Sequence, residues 1–208
     1  MKKSKKKKKS NSWKIKQHRD PFFKKSKTLG YRSRASFKLI ELNNKFKFIK
    51  KNTRLLDLGS YPGSWSQVAS KIVTNGKILS IDIKPMSPIK NVKFLCCDIF
   101  DLETKKKISD YFGGNLEVII SDMAADTTGN KSLDSIRTNQ LCAEVLNFSS
   151  KKLNSNGVLV SKLFMGEDFI EVKNLAKSIF KNVNFFKPEA SRAESKETYI
   201  HCYILNTL

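Results

Sequence analysis

The chain of 208 residues carries 40 Lys+Arg against 19 Asp+Glu, a formal charge of +21, and 39% of it is hydrophobic, with 14 Phe. That apolar content supports one buried core of about 150 residues and excludes disorder throughout. No apolar run approaches the roughly 18 residues needed to span a bilayer, and the basic front lacks the apolar stretch of a secretory signal.

The charge is uneven. Residues 1–54 hold 21 Lys/Arg, with Asp20 and Glu41 as their only acids, so the remaining 154 residues are close to neutral. A basic front on a neutral body points to a polyanion as partner. Lysine clustering supports this over mere compositional bias, since residues 1–9 alone carry seven lysines. Cys96, Cys97, Cys142 and Cys202 have no C-x-x-C spacing, and with only His18 and His201 no zinc set forms. Reduced thiols, no metal and a cytosolic location are expected.

In chain order, residues 1–12 are low-complexity and basic, with no periodicity that could bury a face. Residues 1–30 are therefore expected to be a basic, largely disordered arm, ahead of one domain over 31–208. Within the arm Trp13, Phe22 and Phe23 interleave with Lys14, Lys16, Arg19, Lys24 and Lys25. Aromatic faces beside cations suit stacking on unpaired bases, and equally suit an arm that packs its aromatics on the domain.

From Tyr31 the pattern becomes globular. A helix is expected over 33–47, with Ser33 as candidate N-cap and Phe37, Ile40 and Leu42 as its apolar side. A strand over 54–58, a helix over 65–73, strands over 77–83 and 92–97, and a weaker helix over 100–112 follow. Next come a strand over 116–121, a long helix over 133–153, a strand over 157–164, a helix over 169–180, and strands over 183–187 and 199–205. Near-continuous Ile/Leu/Val strands separated by helices imply an α/β fold: a Rossmann-like, mostly parallel sheet with helices on both faces. The last two strands have no helix between them and should form an antiparallel hairpin closed by a long loop over 188–196. In such a sheet, ligands bind outside the carboxyl ends of the strands, where strand order reverses.

The first strand leads into Asp57-Leu58-Gly59-Ser60-Tyr61-Pro62-Gly63-Ser64-Trp65. A glycine turn between strand and helix lets the backbone approach a ligand closely. The spacing is not G-x-G-x-x-G, no Gly-Lys-Ser/Thr follows, and Pro62 removes an amide that a pyrophosphate would use. A nucleoside cofactor without a diphosphate fits better. Asp82 closes the second strand, where an acid takes ribose hydroxyls, and Asp98 closes the third, where it can accept from an adenine amino group. Together these favour S-adenosylmethionine over a nicotinamide. Two further strand ends carry charge, at Asp122 and at Lys162, the latter inside the apolar run Val158–Phe164. A lysine there needs an acidic neighbour or a function that uses its altered pKa.

The sequence resembles the RrmJ/FtsJ family of ribose 2′-O-methyltransferases over about residues 32–205. The resemblance rests on Arg32-Ser33-Arg34-Ala35-Ser36-Phe37-Lys38-Leu39, on Asp57-Leu58-Gly59 with Pro62-Gly63 and Trp65-Ser66-Gln67, and on Pro85-Met86 with Pro88-Ile89. It continues through Ser121-Asp122-Met123-Ala124, Lys162, Gly166-Glu167, Lys187-Pro188-Glu189, Ser191-Arg192-Ala193 and Glu197. It implies a catalytic tetrad of Lys38, Asp122, Lys162 and Glu197, and cofactor contacts at Gly63, Trp65, Asp82, Asp98 and Asp122. It further implies S-adenosyl-L-methionine as methyl donor, a uridine of large-subunit (23S) rRNA in the 50S subunit as substrate, a monomer, and RNA as the polyanion that the arm gathers. A tRNA ribose, an mRNA cap, or a non-catalytic role in ribosome assembly are the alternatives. Within the tetrad, repulsion from Lys38 and desolvation are expected to lower the Lys162 pKa, with Asp122 and Glu197 opposing. The chain departs from the family pattern at Ser60-Tyr61, Ser64, Ala125-Asp126 and Cys96-Cys97.

Overall fold

The computed structural model describes residues 19–206. Its strands are β1 (Arg54–Leu58), β2 (Lys77–Asp82), β3 (Lys93–Cys96), β4 (Leu116–Ser121), β5 (Leu153–Phe164), β6 (Phe180–Phe186) and β7 (Glu197–Leu205). They form one sheet in the order β3-β2-β1-β4-β5-β7-β6. β1 to β5 are mutually parallel, and β7 runs antiparallel to both neighbours. The expected hairpin of the last two strands is present. Its second strand, however, enters the sheet between β5 and β6, so β6 becomes the edge.

The helices are α1 (Pro21–Thr28), α2 (Ala35–Phe46), α3 (Ser64–Ile72), α4 (Leu102–Phe112), α5 (Lys131–Lys152) and α6 (Phe169–Ile179). The two-residue period of each strand sends alternate side chains to opposite layers. Leu55, Ile78, Val118, Ile120, Val160 and Tyr199 pack with Leu39 and Leu42 of α2 and Trp65 and Val68 of α3. Leu56, Leu79, Ile119, Leu159 and Ile200 pack on the other face with Ile108, Val145 and Val172 of α4, α5 and α6. Along the chain β1, β2 and β3 step one way and β4 and β5 the other, so order reverses between the carboxyl ends of β1 and β4.

Several boundaries differ from those expected: the long helix runs Lys131–Lys152, β5 already begins at Leu153 and β6 at Phe180. Two of the shifts have a plain tertiary reason. β7 begins at Glu197 because Phe164 pairs with it across β5. The helix expected from Ser33 begins at Ala35, and the Ser33 hydroxyl instead lies 2.7 Å from that of Ser64 at the start of α3.

The expected arm over 1–30 is corrected in its second part; residues 1–18, including Trp13, lie outside the described residues. From Asp20 the chain is folded. Asp20 caps α1, accepting from the amides of Phe22 at 3.0 Å and Phe23 at 3.1 Å, and Pro21 occupies the first turn, where its missing N–H costs nothing. The Asp20 carboxylate also pairs with Arg34, and Phe22 packs on Phe37 with ring centroids 5.6 Å apart. Phe22 thus belongs to the domain, while Lys24, Lys25 and Lys27 remain exposed. Asp20→Ala removes the cap and the ion pair together, and urea unfolding is expected to show a loss of about 1–2 kcal/mol. A loss below about 0.3 kcal/mol would mean that α1 is held by the packing of Phe22 and the buried Ser26 rather than by its cap.

Candidate active site

Period-two alternation brings three of the four family-implied catalytic groups to one face. Asp122 continues the Val118–Ile120 side of β4, Lys162 the Val160 side of β5, and Glu197 the Tyr199 side of β7. Lys38 reaches them from α2, which covers that face. Lys38 Nζ lies 2.6 and 2.8 Å from the two Glu197 carboxylate oxygens. Lys162 Nζ lies 2.9 Å from Asp122 Oδ1, donates to the Asp122 carbonyl at 2.8 Å, and is 3.8 Å from Glu197 Oε2. The four side chains form one alternating cluster at the carboxyl edge of the sheet.

Its electrostatics reverse one expectation. Burial pushes the Lys162 ammonium toward neutrality, but the charges and hydrogen bonds of Asp122 and Glu197 outweigh burial, and its pKa is raised. Lys38, expected to repel it, is itself paired with Glu197. Burial pushes Asp122 up, yet the charges of Lys162 and Lys38 and the Tyr199 and Lys162 hydrogen bonds hold it below the usual carboxylate range. Lys162 is thus an ammonium and Asp122 a carboxylate.

Residues without an assigned role at the sequence level complete the arrangement. The Tyr199 hydroxyl donates to Asp122 Oδ1 at 2.5 Å, and burial followed by the charges of Asp122 and Glu197 raises its pKa well above the ordinary phenol value. Ser191 donates to Glu197 Oε1 at 2.7 Å. The loop carrying Ser191 is held by Glu41, which accepts from the amides of Glu189 at 2.6 Å and Ala190 at 3.0 Å, and by Arg34, which donates to the Ala190 carbonyl. Alternation along β7 was the available signal for Tyr199; the loop contacts had none, because their partners lie about 150 residues apart.

Beside the cluster, a cavity of about 900 Å³ opens at the reversal point of strand order, lined by Gly59, Asp82, Asp98, Ile99, Phe100 and Asp122 among others. Gly59 has φ +69° and a Cβ there would overlap the Met123 side chain, so only glycine lets this turn pass the end of β4. Asp82 accepts from the amides of Tyr61 and Lys84, each at 2.8 Å, and Asp98 from that of Phe100 at 2.9 Å. These bonds fix both carboxylates at the cavity wall next to the apolar Ile83, Ile99 and Phe100, a lining that fits a nucleoside. Gly63 and Trp65 lie outside this lining. Gly63, φ +101°, is where a Cβ would come within 2.5 Å of Arg32 Nη1, and Arg32 bridges the carbonyls of Pro62 and Pro88 at 2.9 Å each. Trp65 is buried, donates its indole N–H to the Ala35 carbonyl at 2.9 Å and packs on Tyr199. At the departures from the family pattern, Ser64 ties the loop to Ser33, the loop after β4 is tied to α5 by Thr138 accepting from the Ala125 amide at 3.2 Å, and Cys97 joins the cavity wall.

A doubly wound sheet with one antiparallel strand slotted in next to the end, a nucleoside-shaped cavity at its switch point and an ionised Lys–Asp pair beside it define a Rossmann-like group-transfer enzyme. The chain belongs to the FtsJ-like methyltransferase family, whose profile matches residues 31–204. It is 45% identical over 196 residues to the ribosomal RNA large subunit methyltransferase E of Pelagibacter ubique (strain HTCC1062), covering 94% of this chain and 97% of that protein. It is 42% identical over 197 residues to the enzyme of the same name from Rickettsia akari (strain Hartford), covering 92% and 87%. The crystal structure of a Plasmodium falciparum protein assigned as a ribosomal RNA methyltransferase superposes with a TM-score of 0.76 at 34% identity, covering 84% of this chain and 98% of that one. The chain is accordingly a methyltransferase, and S-adenosylmethionine is its methyl donor.

One further acid lies under the cofactor loop. Asp57 is buried, accepts from the Ser66 hydroxyl at 2.6 Å through Oδ2, and has no hydrogen-bond partner on Oδ1 among the described residues. Burial, opposed by the Ser66 bond and reinforced by the charges of Asp122 and Asp82, raises its pKa to about 7. A raised acid favours folding while neutral, so its contribution is complete below the unfolded value near 3.8 and is lost as pH rises through about 7. Asp57→Asn keeps an acceptor for Ser66 and removes the titration. Its stability relative to the native chain is expected to improve by on the order of 2–3 kcal/mol between pH 5 and pH 8 in urea unfolding. An equal difference at both pH values would show that Asp57 is ionised throughout.

Proposed function

We propose that the protein transfers a methyl group from S-adenosylmethionine to the ribose 2′-oxygen of a uridine in large-subunit (23S) rRNA, acting as a cytoplasmic monomer on the assembled or maturing 50S subunit. The observation that carries this reading is the Lys162–Asp122 pair at 2.9 Å, whose Asp122 also lines the cofactor cavity, with Lys38 and Glu197 alongside. The names of the relatives support the choice of large-subunit rRNA.

When bound, S-adenosylmethionine supplies a methyl group on a cationic sulfur, which makes that carbon electrophilic. Asp82 and Asp98 take the polar edges of its nucleoside, and Asp122 borders both the cofactor cavity and the cluster. The role of Gly63 and Trp65 is to shape the cofactor loop from behind, the one through its close approach to Arg32 and the other through its packing on Tyr199. Lys38 and Glu197 hold the target ribose, and Lys162 places its ammonium against the 2′-oxygen. At a reference pKa near 10.4, only about one lysine in 2,500 is neutral at pH 7, and the acids here push further that way. Lys162 therefore orients the hydroxyl and stabilises the charge that develops on its oxygen rather than removing the proton beforehand. Asp122, kept ionised by the same pair, receives the proton. A carboxylate of low basicity suffices, because an oxygen that has gained a methyl group releases its proton readily. The basic front gathers RNA, with the exposed lysines of α1 leading from the arm toward the α2 face.

Incubation with labelled S-adenosylmethionine and large ribosomal subunits lacking the modification is expected to give one labelled 2′-O-methyluridine. Lys162→Ala should lower turnover by on the order of 10²- to 10³-fold while cofactor affinity is kept. Near-normal turnover would remove Lys162 from the chemistry. RNA binding without any incorporation would assign the protein to subunit assembly instead. Removing residues 1–12 is expected to weaken RNA binding and flatten its salt dependence, each lost phosphate contact changing the log–log slope by about 0.9 on duplex or 0.7 on single strands. An unchanged slope would mean that these lysines do not touch RNA.

A further inference from the structure

Glu197 has a second neighbourhood that the tetrad does not use. On the α6 side of the same carboxyl edge, a hollow of about 370 Å³ is lined by Met165, Phe169, Phe185, Lys187, Lys196 and Thr198, and shares Glu197 with the cluster. Its volume is within the range of small-ligand sites, about 300–1,000 Å³. Phe169 and Phe185 form its aromatic wall, with ring centroids 4.9 Å apart at an interplanar angle of 52°, and both rings are only partly buried. Met165 stands at the mouth, 48% exposed, and Lys196 is exposed beside it. Lys187 is drawn back against the loop, donating to the carbonyls of Ala193 at 3.1 Å and Ser195 at 2.6 Å.

The hollow is built before any ligand arrives. The Met165 amide donates to the Lys196 carbonyl at 2.9 Å, joining its two rims. From α5, the buried Asn139 carboxamide accepts from the Phe164 amide at 2.7 Å and donates to the Phe164 carbonyl at 3.0 Å and to Asp168 Oδ1 at 2.9 Å. This clamps the turn from β5 into α6, and a rigid site loses little entropy on binding. Its position also matters. Met165 follows Lys162 by three residues, roughly 10 Å at about 3.4 Å per residue of strand.

We infer that this hollow receives the base of a nucleotide flanking the target ribose, stacked on the Phe169–Phe185 wall and the Met165 thioether, with the connecting phosphate on Lys196. The inference rests on the proposed function, because it takes the target ribose to lie at Lys38 and Glu197. The chemistry favours a nucleobase. Aromatic rings and a polarisable thioether bordered by a cation match base stacking with phosphate contact. A nucleotide neighbouring the target is covalently tied to it and is thereby delivered to the far side of Glu197. The site gives the enzyme a grip on single-stranded RNA around the modified position, independent of the basic front.

The test compares Met165→Ala and Lys196→Ala, both at exposed positions, and the size-conserving Phe169→Leu, on large subunits lacking the modification. Loss of base stacking amounts to about 1–3 kcal/mol, or roughly 5- to 150-fold in affinity. Each variant is expected to raise KM for subunits about 5-fold or more, with kcat at saturation within about twofold of the native enzyme and S-adenosylmethionine affinity unchanged. A photoreactive benzoylphenylalanine at position 165 is expected to crosslink to a nucleotide adjacent to the methylated one. An unchanged KM in both Met165→Ala and Lys196→Ala, or a crosslink to a ribosomal protein, would overturn the assignment. Absence of methyl transfer by the native enzyme would overturn the proposed function, and this assignment with it.

Discussion

The structure turns on keeping Lys162 charged in the buried part of β5, among Val158, Leu159, Val160 and Leu163. An unpaired ammonium at that depth would lose its proton or destabilise the fold, because desolvation disfavours the charged form. Asp122 meets it from the neighbouring parallel strand and Glu197 from the antiparallel strand on its other side. Lys38 then balances the second acid from the covering helix. Two ammoniums and two carboxylates satisfy one another, and removing any one leaves a buried charge without its partner. Both flanking strands are needed, so the placement of β7 beside β5 is a condition for the site.

The same requirement explains the polar contacts behind the cluster. Glu197 lies at the very start of β7, where a strand end would fray without support. Ser191 holds one of its oxygens, and the loop bearing Ser191 is held in turn by Glu41 of α2 and by Arg34 just ahead of it. Arg34 also pairs with Asp20, the cap of α1. Asp20, the cap of α1, and Glu197 are thus linked through Arg34, Ala190 and Ser191, so α1 and the charged cluster have a fixed relative position.

Much of this was legible in the sequence because the signals are local. Near-continuous Ile/Leu/Val runs marked the central strands, and the bounds of β1 and β4 agree with those expected from the run alone. The glycine turn after β1 and the acids closing β2 and β3 marked the cavity, since strand ends in a doubly wound sheet face the ligand. Other features had no local signal. Trp65 sits in a cofactor motif, yet its indole is spent on the Ala35 carbonyl and on Tyr199, away from the cavity lining. Phe22 belongs to a stretch whose composition suits RNA stacking and packing on the domain equally, and only its contact with Phe37 shows that it is part of the domain.

By itself the sequence determined the fold class, the strand-end positions of Asp82, Asp98, Asp122 and Lys162, and the division into a basic front and a near-neutral body, because periodicity and composition are properties of neighbouring residues. Tertiary structure decided the insertion of β7 between β5 and β6, the direction in which the Lys162 pKa moves, and the hollow behind Glu197. Each depends on groups distant in the chain. Whether an acid lies 2.9 Å from an ammonium outweighs anything that the residues flanking Lys162 can impose, since Coulombic attraction and desolvation act through space and vary steeply over a few ångströms.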